Sequence, residues 1–315
     1  MEDHVSLIKQ EMRSLATTYL TDGSMLEYAN CFIEHKFTEP MKFGPLTVLH
    51  YDMFGGKGKA VYLAASSIEL FVLASDILDD LQDQDAPQQP WSRAPLPVAL
   101  HLAASFMTLS QQAIAACGEE PAIVLRTMEM MNRQLLTAAN GQMADILDAV
   151  IDEESYFDVV KKKSAALLVL ACMTGVMLSG RSWHAGVAEY ALELGIAAQI
   201  ENDRRDLLRW DEKSDFLQRK KTALTLYLLE DLGEKDRWVA DYYEGRLPAS
   251  SIEGRENDFS ELCERSGAML YGAALFNLHF NRFMELLAGV PEAARRSDDI
   301  LRLVAGRTNQ VETPQ

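Results

Sequence analysis

Two groups of side chains, all acidic except one asparagine, repeat one spacing along this sequence, and that spacing is suited to metal binding. Each group occupies positions i, i+1 and i+4 of a helical pattern, so its side chains share one helix face. Like charges this close cost a helix about 0.2–0.5 kcal/mol per pair, whereas Mg²⁺ binds one or two carboxylates together with substrate phosphates. Either group alone could be a solvated helix end, but two of matching spacing predict Mg²⁺ and diphosphate binding. The groups are Asp79, Asp80 and Asp83, and Asn202, Asp203 and Asp206.

Lysines accompany these acidic groups in the sequence. Lys213, Lys220 and Lys221 follow the second group. Lys163 lies where the apolar run 165–178 begins, and a lysine at the edge of a core is the alternative to a ligand-binding role. Lysine side chains would hold the diphosphate oxygens that metal ions leave free.

The elements that position these residues are predicted to be helices. No proline occurs between Pro121 and Pro248, and the interval is rich in good helix formers. No sustained alternation of apolar and polar residues indicates a sheet. We therefore predict an all-α fold with helices at 4–20, 24–36, 58–84, 94–116, 121–149, 154–179, 184–208, 220–231, 234–244, 258–288 and 291–306.

Glycines mark two places near these helices. Gly55-Gly56-Lys57-Gly58-Lys59 is a predicted turn just before the first acidic helix, and taken alone it would most often be only a loop. Gly141 lies within a helical pattern, where glycine costs about 1 kcal/mol relative to alanine. Such a glycine indicates close packing or a ligand, and close packing is the more common reason.

The composition limits the partners and the compartment. The chain has 315 residues, 48% of them hydrophobic, and a net charge of −17 at pH 7. This acidic balance argues against nucleic acid and against an anionic membrane surface. No linker-like segment is found, so a single domain over 1–315 is predicted. The four cysteines form no CxxC pair, and neither a signal-peptide pattern nor a transmembrane segment is recognised, which favours the cytoplasm.

The order and spacing of these motifs resemble the trans-isoprenyl diphosphate synthase (polyprenyl synthetase) superfamily over about residues 45–225. Its members carry two DDxxD motifs, which correspond to the acidic groups here. They also carry GGK, GQ, Lys-Thr and Phe-Gln motifs and a lysine that ends an Asp-x(4)-Lys pattern. The corresponding residues are Gly55-Gly56-Lys57, Gly141-Gln142, Lys163-Ser164, Gln199 and Lys220. The resemblance implies a single-domain all-α bundle around a deep apolar cavity, acting as a homodimer.

The resemblance also implies roles for individual residues. It implies about three Mg²⁺ ions in each active site, held by Asp79, Asp80, Asp83, Asn202, Asp203 and Asp206. An allylic prenyl diphosphate would be ionised with help from a catalytic set of Asp79, Asp80, Asp83, Lys163, Gln199 and Lys220. Diphosphate binding would involve Lys57, Lys59, Arg93, Gln142, Lys163, Ser164 and Lys220. The small residues Ala74 and Ser75, with Phe71 deeper in the helix, predict room for a farnesyl or geranylgeranyl chain.

Three arginine positions of the elongating family members are changed. The pair that follows the first DDxxD motif falls on Gln88 and Gln89, and the GGKxxR arginine falls on Ala60. In the family these arginines hold the allylic and isopentenyl diphosphates. Because arginine is the side chain suited to bidentate phosphate binding, their loss predicts an acceptor other than isopentenyl diphosphate.

A narrower resemblance is to the ComQ-type pheromone prenyltransferases, which prenylate a tryptophan of a ComX-like peptide precursor. The similar stretches are Leu49-His50-Tyr51, Ser75-Asp76-Ile77, Trp91 and the stretch from Ser214-Asp215 to Thr222. Transfer of a prenyl group to such a tryptophan is therefore the preferred hypothesis. Head-to-tail elongation with isopentenyl diphosphate, terpene cyclisation on the same fold, and a non-catalytic partner subunit of a heteromeric prenyl synthase remain alternatives.

Overall fold

The computed structural model describes residues 2–84, 86–211 and 213–305, and this part of the chain contains helices and no strand. The prediction of an all-α fold is confirmed. The α-helices are α1 (Glu2–Tyr19), α2 (Gly23–Lys36), α3 (Phe43–Met53), α4 (Ala60–Asp83), α5 (Pro90–Arg93), α6 (Leu96–Ala115), α7 (Pro121–Ile146), α8 (Glu153–Val160), α9 (Ala166–Leu178), α10 (Ala185–Leu207), α11 (Ala223–Glu230), α12 (Arg237–Tyr243), α13 (Glu256–Ser266), α14 (Ala268–Ala288), α15 (Pro291–Ala294) and α16 (Ser297–Ala305).

The helices divide into two compact units. Unit 1 comprises Met1–Gln134, Leu167–Tyr190 and Glu285–Gln315, and unit 2 comprises Leu135–Ala166 and Ala191–Met284. The single domain over 1–315 stays a prediction.

Helix α4 lies at the centre of unit 1. It packs against α1, α3 and α6, and nearly all of its residues between Val61 and Ala74 are buried. Burying a large apolar side chain contributes about 1.5–3 kcal/mol, so this helix supplies much of the core of the unit. Among the described helices, α4 alone is long and apolar enough to cross a membrane, but 72% of the relevant window is buried inside the protein.

Helix α3 is absent from the predicted helices, and this omission is corrected by the structure. Its start contains Gly44-Pro45, a pair typical of turns. Proline is nevertheless tolerated in a first helical turn, because the N–H that it lacks would be unpaired there. The Gly44 N–H donates to Oε1 of the buried Glu69 at 2.6 Å, which fixes the start of α3 against α4.

Three predicted helices are interrupted. The helix predicted at 291–306 is two helices, α15 and α16, separated by a turn at Arg295-Arg296. The helix predicted at 258–288 is two helices, α13 and α14, because Gly267 between them has a φ of +82° and so ends α13 in the left-handed conformation. The helix predicted at 154–179 contains a π-helical turn at Lys161–Ala165 between α8 and α9. Such turns are frequent at functional sites, and this one carries two predicted site residues.

An aromatic cluster forms part of the core of unit 2. Phe216 is fully buried, and its ring centroid lies 3.9 Å from that of Phe259, 5.1 Å from Tyr242 and 5.5 Å from Trp210. Phe216 belongs to the irregular segment between α10 and α11. Its burial therefore anchors the segment that carries Asp215.

Candidate active site

The first acidic group lies at the C-terminal end of α4. The helix ends at Asp83, and Gln84 caps it with a left-handed φ of 56°. All three carboxylates are partly exposed, and the last turn of α4 contains no basic residue. Because anions are disfavoured at a helix C-terminus, this end of the helix favours a cation from elsewhere.

Residues of α2 and α5 donate hydrogen bonds to carboxylates in the last two turns of α4. The indole Nε1–H of Trp91 donates to Oδ2 of Asp80 at 2.7 Å. One turn earlier, Lys36 of α2 donates to Oδ2 of Asp76 at 2.7 Å. Burial raises the pKa of Asp76, and the charge of Lys36 opposes that shift. The end of α4 is thus attached to both α2 and α5.

The predicted chain-length residues lie further back along α4. Phe71 and Ala74 are buried, with relative exposures of 6% and 0%, and Ser75 is partly buried. Their burial agrees with an apolar setting, while their role in donor length stays a prediction.

The GGK turn is shaped by its glycines. Gly55 has a φ of +91°, a region that favours glycine, and a Cβ on Gly56 would lie 2.5 Å from the ring of Tyr51. The hydroxyl of Tyr51 donates to the carbonyl of Lys57 at 2.7 Å. Lys57 and the nearby Lys59 are exposed, and the tightly packed turn fixes the backbone from which they extend.

Gln88 and Gln89 lie in the segment between α4 and α5. The guanidinium of the exposed Arg93 donates to Oε1 of Gln88. Oε1 of Gln89 is buried without a hydrogen-bond partner, and an unpaired buried acceptor costs about 1–3 kcal/mol. Gln88 and Gln89 therefore provide neutral amides at the positions where the resemblance implies a pair of arginines.

Asp203 of the second acidic group is buried and lies at the centre of a hydrogen-bonded chain. It is 4% exposed. Its Oδ2 accepts from the hydroxyl of Tyr156 at 2.6 Å, and its Oδ1 accepts from Nε2 of Gln199 at 2.8 Å. Oε1 of Gln199 in turn accepts from the hydroxyl of Ser164 at 2.8 Å. Burial raises the pKa of Asp203 to about 6, and the hydrogen bonds from Tyr156 and Gln199 oppose the shift.

The other two members of this group are bridged by an arginine. Asn202 is exposed and Asp206 is partly exposed. Arg205 donates through Nη2 to Oδ1 of Asn202 at 3.0 Å and through Nε to Oδ1 of Asp206 at 3.2 Å. Asn202 and Asp206 therefore already bind the positively charged Arg205 on the helix face where their spacing predicts a cation.

Lys163 and the Gly141-Gln142 motif come together in unit 2. A Cβ on Gly141 would lie 2.4 Å from the backbone nitrogen of Lys163, so close packing is the reason for this helical glycine. The Nζ of Lys163 donates to Oδ2 of Asp145 at 2.5 Å. The glycine thus lets α7 contact the π-helical turn that presents the lysine.

Asp215 is a candidate site residue that the sequence prediction omits. It is 8% exposed, and its Oδ2 is buried without a hydrogen-bond partner. Burial raises its pKa well above the ordinary value, and the charge of Asp203 raises it further. The backbone N–H of Lys220 donates to the Asp215 carbonyl at 2.8 Å. The sequence signal for Asp215 is the Asp-x(4)-Lys pattern, whose first residue it is and whose last residue is Lys220.

The predicted site residues form two sets, and each unit contains one of them. Unit 1 contains the first acidic group with Lys57, Lys59, Phe71, Ala74, Ser75 and Arg93, and unit 2 contains the second acidic group with Gln142, Lys163, Ser164, Gln199 and Lys220. Within residues 2–84, 86–211 and 213–305, no three Asp, Glu, His or Cys side chains converge on a preformed ion site. Because Mg²⁺ keeps waters and takes phosphate ligands, partly exposed carboxylates fit an ion whose coordination a substrate completes.

Comparison with known proteins agrees with this fold and these motifs. The sequence profile of the polyprenyl synthetase family matches residues 44–253. The chain is 33% identical over 262 residues to the tryptophan prenyltransferase ComQ of Bacillus subtilis (strain 168), which covers 82% of this chain and 84% of that protein. It is 27% identical over 241 residues to the geranylgeranyl diphosphate synthase of Sulfolobus acidocaldarius, which covers 70% of this chain and 72% of that protein.

A solved structure extends the likeness to almost the whole chain. The polyprenyl synthase from Caulobacter crescentus CB15, complexed with calcium and isoprenyl diphosphate, superposes with a TM-score of 0.80 at 17% identity. The match covers 98% of this chain and 96% of that one. The fold and the relatives define an all-α trans-prenyltransferase. The chain belongs to the polyprenyl synthetase family, whose members are generally metal-dependent.

Proposed function

We propose that this prenyltransferase takes an allylic diphosphate of farnesyl or geranylgeranyl length as donor and a tryptophan of a small ComX-like peptide as acceptor. One observation carries the proposal: the carboxylates of both acidic groups are retained except at Asn202, whereas Gln88, Gln89 and Ala60 replace three arginines. A neutral indole needs no second phosphate site. The likeness to a tryptophan prenyltransferase supports the same acceptor.

The donor diphosphate is held through charge. The proposed metal ligands are Asp79, Asp80, Asp83, Asn202, Asp203 and Asp206. Mg²⁺ bound by these residues would neutralise the negative charge of the leaving diphosphate. Lys163 and Lys220 donate hydrogen bonds to the remaining oxygens. The net charge of −17 makes these local cations necessary, because the rest of the protein repels an anion.

The reaction transfers one prenyl group. The C–O bond between the prenyl chain and the diphosphate breaks, and its electron pair leaves with the diphosphate. An indole carbon then forms a bond to the allylic cation, and the alkylated indole releases one proton to the diphosphate. Apolar residues such as Phe71 keep water from the cation, and the amide dipoles of Gln142 and Gln199 stabilise it.

The proposal is tested by offering donors of three chain lengths with and without a peptide acceptor. The protein with Mg²⁺ is incubated with geranyl, farnesyl or geranylgeranyl diphosphate, alone or with a tryptophan-containing peptide, and products are identified by mass spectrometry. We expect labelling of the peptide only. The control peptide carries phenylalanine in place of the tryptophan and should remain unlabelled. Unlabelled tryptophan peptide in the presence of diphosphate release would overturn the proposed acceptor.

The second candidate is head-to-tail elongation, which the likeness to a geranylgeranyl diphosphate synthase favours. It predicts a longer diphosphate that forms only when isopentenyl diphosphate is added. A hydrocarbon product from donor alone would indicate a terpene cyclase. If no donor releases diphosphate in the presence of Mg²⁺, the chain is a non-catalytic partner subunit.

We also propose that the protein acts in the cytoplasm as a homodimer, as the family resemblance implies. Light scattering of the purified protein measures this directly and should give twice the 35.2 kDa chain mass. A mass of one chain at assay concentrations would rule out the dimer.

A further inference from the structure

Trp91 connects the first acidic group to helix α5 through a hydrogen bond to Asp80. We propose that Trp91 is a positioning residue that fixes the Asp80 carboxylate for metal binding. This inference rests on the proposed function, in which Asp80 is a metal ligand, and adds a residue to which the motif pattern assigns no role. Its basis is the 2.7 Å hydrogen bond from Trp91 Nε1 to Asp80 Oδ2.

The indole ring has little freedom to move. Trp91 is 2% exposed and lies in α5, which starts with Pro90 at its first position. Two rings of α2 contact it edge-on: the centroid of Phe32 lies 5.8 Å away at 79°, and that of His35 lies 5.4 Å away at 84°. Aromatic pairs prefer this edge-to-face arrangement, which is favourable beyond the area that they bury. The donor atom is therefore held at a fixed place.

The chemistry of indole suits this role. The indole N–H can only donate one hydrogen bond, and it carries no charge. It therefore stabilises the ionised carboxylate, as a charge-assisted hydrogen bond does, without competing for the site as a lysine or arginine cation would. One Asp80 oxygen is oriented by the indole, which sets the direction of the other oxygen.

Carboxylates that bind metals are usually oriented by hydrogen bonds from outer residues. Removing such a partner typically costs 10–100-fold in metal affinity or activity. Trp91→Phe removes the N–H while keeping an aromatic ring against α2. We therefore expect a loss of about 10-fold or more in Mg²⁺ affinity, with a small change in melting temperature.

The first measurement uses binding and needs no turnover. Calorimetric titration of Mg²⁺ into protein with inorganic diphosphate gives the affinity for wild type, W91F and the control W183F. Trp183 is 47% exposed and precedes α10, whereas the second acidic group lies near the C-terminal end of that helix, so W183F should bind like wild type. The chain has four tryptophans, and ¹⁵N-indole spectra should show the Trp91 signal shifting on addition of Mg²⁺ and diphosphate while the Trp183 signal does not move.

The second measurement is the Mg²⁺ dependence of diphosphate release. The half-activating concentration should rise in W91F by the same factor as the dissociation constant, and saturating Mg²⁺ should restore most of kcat. A packing defect would instead lower kcat at all Mg²⁺ concentrations. If W91F does not fold, 3-benzothienylalanine at position 91, which has sulphur in place of N–H, provides the same test with the ring size kept.

The outcomes separate this inference from the function on which it rests. A folded W91F with wild-type Mg²⁺ affinity overturns the role of Trp91 alone. Absence of both Mg²⁺ binding and diphosphate release in wild type overturns the proposed function and this inference together. Weaker binding in W91F with unchanged binding in W183F supports the role of Trp91 and the metal role of Asp80.

Discussion

Individual carboxylates of the two acidic groups lie in different environments. Those at the end of α4 are partly exposed, and Asp80 accepts from a neutral indole. Asp203 is buried, and both of its oxygens accept hydrogen bonds from protein side chains. A buried carboxylate that is already hydrogen-bonded gives up more to bind an ion than an exposed one does. Within the second group, Asp206 is therefore better suited than Asp203 to contact an ion directly.

Asp79→Ala tests the first acidic group at its leading residue. We expect diphosphate release to fall at least about 100-fold, equivalent to about 2.7 kcal/mol of activation free energy, because a proposed metal ligand is lost. A matched control is Asp158→Ala, which removes an exposed carboxylate paired with Lys162 on the surface of unit 2. Release is measured in a coupled diphosphate assay at saturating donor. Full activity of the Asp79 variant would contradict the metal role of this group.

His50 provides a test of stability against pH within unit 1. It is fully buried, its Nδ1–H donates to the Leu46 carbonyl at 2.7 Å, and Tyr190 donates to its Nε2 at 2.5 Å. Burial lowers its pKa to about 4, from an ordinary 6.5. Between these values the unfolded chain binds the proton and the folded one does not. Protonation of His50 in the unfolded chain therefore lowers the free energy of unfolding as the pH falls from about 6.5 to 4, by up to about 1.4 kcal/mol per pH unit. Above about pH 6.5 this loss is absent.

The measurement is urea unfolding at pH values from 7 to 5, with wild type compared with His50→Gln. The variant keeps a polar group in the same place but has no proton to gain. Its stability should depend less steeply on pH than that of wild type. Equal slopes for the two proteins would show that His50 does not control this dependence.

At the scale of helices, the sequence allows most elements to be predicted but not where they break. Long runs such as α4 and α7 follow from good helix formers without proline. The Gly44-Pro45 pair at the start of α3 predicts a turn. The contact of Gly44 with Glu69, which a sequence pattern does not show, stabilises the start of the helix instead. The break at Gly267 depends on a positive φ. The π-helical turn around Lys163 depends on packing against α7. A periodic sequence pattern shows neither feature.

The candidate site shows the same limit. Motif residues can be recognised from their spacing, because that spacing places them on one helix face. Their hydrogen-bond partners come from distant positions: Tyr156 is 47 residues from Asp203, and Trp91 reaches Asp80 from a separate short helix. No local pattern encodes such pairs. Trp91 and Asp215 lie in stretches that carry the resemblance to the ComQ-type enzymes, but their contacts, like those of Tyr156, become apparent only in the folded chain.

Gly141→Ala tests whether the contact of α7 with the π-helical turn positions Lys163. The new Cβ would lie 2.4 Å from the Lys163 nitrogen, so the backbones must separate. We expect a loss of about 1–3 kcal/mol in unfolding free energy together with a raised KM for the donor diphosphate. The control Gly23→Ala adds a Cβ to the first residue of α2 with nothing within 4 Å, and it should be neutral or stabilising by up to about 1 kcal/mol. Similar behaviour of the two variants in denaturation and kinetics would contradict the contact.

At the scale of the whole molecule, the fold is kept while the sequence has diverged widely. The structural match at 17% identity covers 98% of the chain, because helix packing tolerates apolar substitutions that keep volume and patterning. Function depends on a few side chains placed on that fold. The proposed acceptor therefore rests on Ala60, Gln88 and Gln89, where the resemblance implies arginines, rather than on the overall likeness to diphosphate synthases.

Restoring these arginines tests that conclusion on the whole enzyme. The triple variant Ala60→Arg, Gln88→Arg and Gln89→Arg returns three guanidinium groups capable of bidentate phosphate binding. We expect isopentenyl diphosphate to be used as acceptor at least about 10-fold better than by wild type, since one such contact is worth about 1.5–3 kcal/mol. The matched control places lysine at the same positions, which restores charge without the planar fork and should gain less. Longer diphosphates are measured by mass spectrometry with labelled isopentenyl diphosphate, beside peptide labelling. A folded triple variant that still labels the peptide and never elongates would show that acceptor choice is controlled elsewhere in the protein.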